Sequence, residues 1–306
     1  MVTSIRQSLD EGETHIWVAL TEGGILPKEI PRDAPLNLGV AASRQNAAIV
    51  ETQSAALCRD AATGKGFMES EPALADLAQQ LLADDELERA RRFRHARDQR
   101  QYVLAHALVR LVLSQYVPIA PQDWRFRRDA SDKPFIAAPH SLPLIQFSLS
   151  HTHGALACLV TLAEKAGVDV ERIEPLADLP LLAKEVLSPA EFQSLNCLPE
   201  CERRARFFEH WTLKEAYAKA RGEGLSLALR EVSFEIGSSA PPRVWFDPKL
   251  DDHPEDWQFW LQRASPRHAL AAAVQSRSPK GGPIILKMVE MTASPPPSRI
   301  LISHEV

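Results

Sequence analysis

The segment Gly167-Val168-Asp169-Val170-Glu171 is one of the two most informative stretches of the chain. Val168 and Val170 alternate with Asp169 and Glu171, the period of a β-strand, in which residues i and i+2 share a face. Both valines then point one way and both carboxylates the other. Two acids on one strand face repel each other unless water or a cation lies between them. Two readings stay open: an edge strand with a solvated acidic face, or an oxygen site for a hard ion such as Mg²⁺. That ion is usually held by one or two carboxylates together with phosphates and water.

A second segment, Trp211-Thr212-Leu213-Lys214-Glu215-Ala216-Tyr217-Ala218-Lys219, carries helix signals. Residues 203–221 contain no Pro or Gly, and Gly222 and Gly224 then stop the run. At 3.6 residues per turn, Phe208, Trp211, Glu215 and Lys219 fall on one stripe. The stripe begins aromatic, which predicts an inward face, yet it runs on into an acid and a base. An exposed i,i+4 Glu–Lys pair, worth about 0.3 kcal/mol, is the alternative to a functional pair. Lys214 lies roughly 100° from Glu215 around the helix and is free to face solvent or substrate. Three carboxylates and a lysine in such settings suit a divalent cation and a phosphate, which points to phosphoryl-transfer chemistry.

The chain has 306 residues, 45% hydrophobic and 25% charged, the composition of an ordinary globular protein of one large or two smaller domains. No apolar run approaches the roughly 20 residues of a membrane span, and residues 1–10 lack the apolar stretch of a signal peptide. Cys58, Cys158, Cys197 and Cys201 are too few for a disulfide scaffold. Cys197 and Cys201, with His210 beyond, are poorly spaced for zinc. Reduced cysteines in a cytoplasmic protein are expected.

The net charge of −5 is unevenly spread, for ten arginines fall between 89 and 128 (89, 91, 92, 94, 97, 100, 110, 125, 127 and 128), with Lys133 after them. Asp84, Asp85, Glu86, Glu88 and Asp98 interrupt the run, and aromatics are few. A solvated helix face, a nucleic-acid patch and a grip on a smaller phosphorylated nucleotide all fit this pattern.

Residues 15–20 read as a short apolar strand. Residues 21–72 are irregular and rich in Pro, Gly, Ala, Ser and Thr. Residues 72–116 are helical, in two helices broken near 94–97. Residues 124–127 are strand-like, followed by a turn at Ser131-Asp132-Lys133-Pro134. Strands at 146–149 and 155–161 flank Ser150-His151-Thr152-His153-Gly154, which reads as a hairpin turn. Further strands are expected at 168–171, 232–236, 257–261 and 268–274, and a short helix at 180–186. Ser188-Pro189-Ala190-Glu191 is a capping box with Pro at the first helical position, reason enough for Glu191. After Gln275 the chain turns Ser-, Pro- and Gly-rich and reads as a tail.

Together these motifs resemble the 4′-phosphopantetheinyl transferases, in particular their larger monomeric class. The resemblance runs over about residues 86–275. It is carried by Arg91-Arg92-Phe93 with Leu108-Val109-Arg110, Asp132-Lys133-Pro134, Phe147-Ser148-Leu149-Ser150-His151-Thr152, the two acidic segments above, and Gly222-Glu223-Gly224-Leu225. Each motif is weak alone; their order and spacing make the match specific.

The resemblance implies an α+β fold of two similar α/β halves related by a pseudo-twofold, with coenzyme A bound between them. The divisions are then an N-terminal segment 1–14, a first half 15–145 interrupted by the irregular 21–72, a second half 146–275 and a tail 276–306. Asp169, Glu171 and Glu215 become the Mg²⁺ ligands. Lys219 becomes the contact to the pyrophosphate, Ser150 and His151 contacts to the nucleotide, and Lys133 and Pro134 the adenine-side wall. Arg89 and Arg92 become partners of the 3′-phosphate. The implied reaction moves phosphopantetheine from coenzyme A to a serine of an apo acyl or peptidyl carrier protein, with Glu215 and Lys219 as the catalytic pair. It releases 3′,5′-ADP. The enzyme would be a monomer needing no membrane or nucleic acid. Two departures stand out: residues 21–72 are longer than the family expects, and Glu86 stands where a basic residue is usual. Two alternatives remain, a catalytically inactive carrier-binding relative and a nucleic-acid-binding protein using residues 89–128.

Overall fold

The structure is a computed structural model that describes residues 9, 13–21, 72–129, 133–138, 145–222, 228–237, 240–275, 282, 284–290 and 301–305. The irregular stretch read at 21–72, Cys58, the Ser131-Asp132 turn and Gly224 fall almost wholly or wholly outside these residues.

The fold is α+β and is built on two sheets. β1 (Thr14–Leu20) lies inside a five-stranded sheet. Its antiparallel neighbour is β5 (Ala155–Thr161), which pairs in turn with β4 (Gln146–Thr152) at the edge. Both β1 and β5 are apolar on both faces, because both faces are covered. Trp17, Ala19, Leu156, Cys158 and Val160 point into a core shared with α1 (Pro72–Leu81) and α3 (Ala96–Tyr116). Ile16, Val18, Ala155, Ala157 and Leu159 point into a second core. The far wall of that core is a three-stranded sheet of β6 (Ala166–Arg172), β10 (His268–Gln275) and β9 (Trp257–Ser265). Val168 and Val170 of β6 face this core, as their alternation requires.

The outer face of the second sheet packs on α6 (Glu200–Arg221). Leu213, Ala216, Tyr217 and Ala220 of α6 meet Ala271 and Ala273 of β10 and the hairpin of β7 (Val232–Glu235) with β8 (Arg243–Phe246). Gly222 ends α6 in the left-handed region at φ 73°, which glycine enters without a Cβ clash. α4 (Leu179–Val186) and α5 (Pro189–Cys197) close its other side. The box at Ser188 forms as expected: its hydroxyl accepts from Glu191 N at 3.3 Å, and Glu191 Oε2 accepts from Ser188 N at 2.7 Å.

Several expectations are corrected. The helical stretch 72–116 holds three helices, since α2 (Asp84–Arg91) is separated from both α1 and α3. The hairpin turn is His153-Gly154 alone, with Gly154 at φ 89°, so Ser150, His151 and Thr152 lie on the strand. A glycine at positive φ lets so short a turn follow the twist of its strands. β2 (Arg125–Arg128) was anticipated, but its partner β3 (Pro134–Ala138) and β8 were not. The range read as a tail contains β11 (Ile284–Glu290) and β12 (Leu301–Glu305). β11 lies parallel to β1, burying Leu286 and setting the Lys287 ammonium 5.3 Å from the Trp17 ring centroid. The expected division at 145/146 cuts through the first sheet, because β4 and β5 pair with β1; the sheets change over at 162–165.

Candidate active site

Asp169 and Glu171 project from the face of β6 opposite Val168 and Val170, toward α6. Gly167 sets how near α6 comes. A Cβ at that position would collide with the carbonyl of Ala216 and sit 2.6 Å from Ala220 N and 3.0 Å from Lys219 Cβ. The glycine therefore lets helix and strand meet backbone to backbone, and Lys219 reaches the carboxylates.

The core of the site is a three-way contact. Lys219 Nζ lies 2.6 Å from Asp169 Oδ1 and 2.9 Å from Ser150 Oγ. Ser150 Oγ donates to the same Asp169 oxygen at 2.8 Å. Asp169 is 3% exposed, and its second oxygen, Oδ2, is buried with no hydrogen-bond partner. A buried carboxylate oxygen without a partner is costly. Glu171 Oε1 accepts from Trp211 Nε1 at 3.2 Å. Burial, reinforced by the charges of Asp169 and Glu215, pushes Glu171 up to about 7 against the pull of Trp211 and Lys219. Burial and Asp169 raise Glu215 as well. The predicted stripe thus brings Trp211, Glu215 and Lys219 to Asp169 and Glu171. Among the described residues, no three His, Cys, Asp or Glu side chains converge as a metal group; the ammonium of Lys219 holds Oδ1 of Asp169.

The donor set nevertheless fits a hard cation. It offers carboxylate oxygens only, one of them unpartnered, and two of its three acids are held toward their neutral forms by burial and by the charge of Asp169. A divalent ion relieves both conditions.

The expected nucleotide-side residues are partly gathered here. His151 Nδ1 lies 3.2 Å from Gln101 Nε2 of α3, and crowding by the protein and the nearby Lys219 hold its pKa below the usual imidazole value. Lys133 reaches across from the β2–β3 turn, donating from Nζ to Ala166 O at 3.3 Å where β6 begins; burial lowers its pKa. Pro134 follows it as the first residue of β3. Arg89 stacks over Tyr102 at 6.0 Å, and exposed Arg92 stands 3.5 Å from Glu88. No described contact joins either arginine to the carboxylates.

Other charged residues turn out to be buried supports. Lys214 faces neither solvent nor substrate: fully buried, it pairs with Glu191 Oε2 at 2.7 Å and donates to the carbonyls of Leu229 and Val232. Glu191 therefore does more than cap α5. It also lies 3.1 Å from His210 Nδ1 and accepts from Phe234 N at 2.7 Å, and His210 and Lys214 hold its carboxyl down at about 2 despite burial. His210 is buried beside Glu191, whereas Cys197 and Cys201 are exposed. Arg110 leaves the arginine-rich set as well. It is 1% exposed, 2.6 Å from Glu86 Oε2. Glu86, joined also by His106 at 2.8 Å, is its buried counter-ion, held at about 2 by those partners although burial opposes it. That pairing accounts for an acid at this position.

Thr152, to which the sequence alone assigns no role, places its Oγ1 3.5 Å from Glu171 Oε2. The available signal was Ser148-x-Ser150-x-Thr152, three hydroxyls at strand period.

Comparison with known proteins supplies an independent line. Residues 165–274 match the 4′-phosphopantetheinyl transferase superfamily, and residues 70–164 match the 4′-phosphopantetheinyl transferase N-terminal family. The chain is 32% identical over 174 residues to 4′-phosphopantetheinyl transferase HetI of Nostoc, covering 57% of this chain and 73% of HetI. It is 30% identical over 155 residues to 4′-phosphopantetheinyl transferase Sfp of Bacillus subtilis, covering 51% of this chain and 66% of Sfp. It is also 26% identical over 219 residues to the L-aminoadipate-semialdehyde dehydrogenase-phosphopantetheinyl transferase of Xenopus laevis, covering 65% and 72% of the two chains.

Proposed function

This chain belongs to the 4′-phosphopantetheinyl transferase superfamily, and we propose that it moves phosphopantetheine from coenzyme A to a serine hydroxyl of an apo acyl or peptidyl carrier protein, leaving 3′,5′-ADP. One observation carries the chemical part of this reading: Asp169 Oδ2 is buried and unpartnered beside two carboxyls that burial and repulsion raise. Asp169, Glu171 and Glu215 are the residues that would hold Mg²⁺. Bound there, the ion would supply neutralisation of phosphate charge and polarisation of a phosphate oxygen.

The chain's own groups account for the rest. Transfer of this kind rests on positioning and on charge complementarity. Lys219 spans Asp169 and Ser150 with its side chain 31% exposed, so it exchanges one anionic oxygen for another when a pyrophosphate enters. Ser150 and His151 line the nucleotide side, with Lys133 and Pro134 as the wall toward adenine and Arg89 and Arg92 toward the 3′-phosphate. Glu215, whose carboxyl is raised, accepts the proton of the attacking serine. The working unit is a monomer acting in the cytoplasm. No described helix is long and apolar enough to cross a membrane.

The test is intact-mass spectrometry of apo carrier proteins incubated with this protein, coenzyme A and Mg²⁺, with parallel EDTA and Asp169→Ala samples. A gain of one phosphopantetheine per carrier, lost in both controls, supports the reading. Binding of coenzyme A without transfer to any carrier would replace it with a binding-only relative.

A further inference from the structure

The edge of β6 is finished by side chains. On the side away from β10, its N–H groups at Val168, Val170 and Arg172 donate to hydroxyls of β4. The acceptors are Ser148 Oγ at 3.1 Å, Ser150 Oγ at 3.3 Å and Thr152 Oγ1 at 3.3 Å. The pairing advances two residues at a time on both strands, so β4 and β6 run in the same direction. The three hydroxyls stand where the carbonyls of a neighbouring strand would stand. Among the described residues no backbone ladder links the two sheets, so this row is a joint between them.

The three hydroxyls are not equivalent. Ser150 already belongs to the site through Asp169 and Lys219. Ser148 bonds Val168 N, and no described contact joins it to the carboxylates. Thr152 accepts from Arg172 N, which leaves its own proton for Glu171 Oε2, 3.5 Å away. A β-branched side chain is stiff about χ1, and the Arg172 N–H holds it further. Trp211 Nε1 meanwhile fixes the other Glu171 oxygen at 3.2 Å. Glu171 is therefore gripped from both sides, by one donor from each structural half of the site.

We propose that Thr152 is a positioning residue for Glu171: its hydroxyl, locked by the N–H of Arg172, orients that carboxylate and so sets how tightly the acidic cluster binds a divalent cation. This rests on reading Asp169, Glu171 and Glu215 as the cation site. Hydrogen bonds to a ligating carboxylate from such outer residues are typically worth 10- to 100-fold in metal affinity.

The probe is Mn²⁺, titrated into the metal-free protein and followed by the electron paramagnetic resonance signal of the free ion, with no substrate present. Thr152→Val is expected to weaken Mn²⁺ binding about tenfold or more, and Thr152→Ser, which keeps the hydroxyl, to restore it. Ser148→Ala breaks the same row away from the cluster and is expected to lower the melting temperature while leaving Mn²⁺ affinity near wild type. Wild-type affinity in Thr152→Val overturns the proposal. So does equal weakening by Ser148→Ala, or a Thr152→Val protein that fails to fold where Ser148→Ala folds, since either makes the row purely structural. Failure of the underlying reading looks different: wild-type protein then binds no Mn²⁺, or binds it unchanged after Asp169→Ala.

Discussion

Asp169 and Glu171 share a strand face, yet their surroundings treat them differently. Asp169 has an ammonium and a hydroxyl on one oxygen and nothing on the other. Glu171 has weaker partners and stands at about 7. Between the ordinary value of 4.5 and about 7, the folded metal-free protein keeps a proton on Glu171 that the unfolded chain has released. The folded state binds more protons there, so this group makes stability fall as pH rises through that window. A divalent cation competes with that proton. Isothermal titration with Mg²⁺ is expected to show affinity rising up to about tenfold per pH unit below pH 7 and levelling above it, with proton release on binding below pH 7. Flat affinity from pH 5.5 to 8 would mean that Glu171 is not a ligand.

At the scale of elements, the site is a contact between one strand and one helix. β6 supplies Asp169 and Glu171, and α6 supplies Trp211, Glu215 and Lys219. Two features fix their mutual position. Gly167 allows the close approach, and the buried Lys214–Glu191 pair ties the opposite side of α6 to α5 and β7. Gly167→Ala is expected to push α6 outward, costing about 1–3 kcal/mol in stability as overpacking does. Displacement of Glu215 and Lys219 by about 1 Å would lower transfer about 100-fold. Urea denaturation and the carrier mass assay measure the two effects. An alanine variant with unchanged stability and activity would mean that α6 does not need the close approach.

For the whole molecule, residues beyond 275 close the first sheet. Without β11, β1 becomes an edge strand with unpaired backbone groups, a template for aggregation. Leu286 is 2% exposed, and burying such a side chain is worth roughly 1.5–3 kcal/mol. Truncation after Gln275 is expected to lower the melting temperature by more than about 5 °C, at roughly 2–4 °C per kcal/mol, or to drive the protein into aggregates on size-exclusion chromatography. An unchanged melting temperature in a monomeric truncation would show β11 to be dispensable.

The amino-acid sequence by itself determined the local facts. The alternation at 167–171, the Gly- and Pro-free run ending at Gly222 and the box at Ser188 depend on neighbours a few residues apart, so their periods and caps are written in the chain. That this strand and this helix share one site was expected only through the family resemblance, because the acidic strand face read equally as a solvated edge. Only the tertiary structure decided what each charged group meets. Lys214 and Lys219 are five residues apart on one helix, and the first is buried against Glu191 while the second bridges Asp169 and Ser150. Arg110 and Glu86 neutralise each other across two helices, and β11 finds β1 from the far end of the chain. Such pairings join residues far apart in sequence. They are selected by desolvation, because a buried charge or an open strand edge must find a partner wherever the fold brings one within reach.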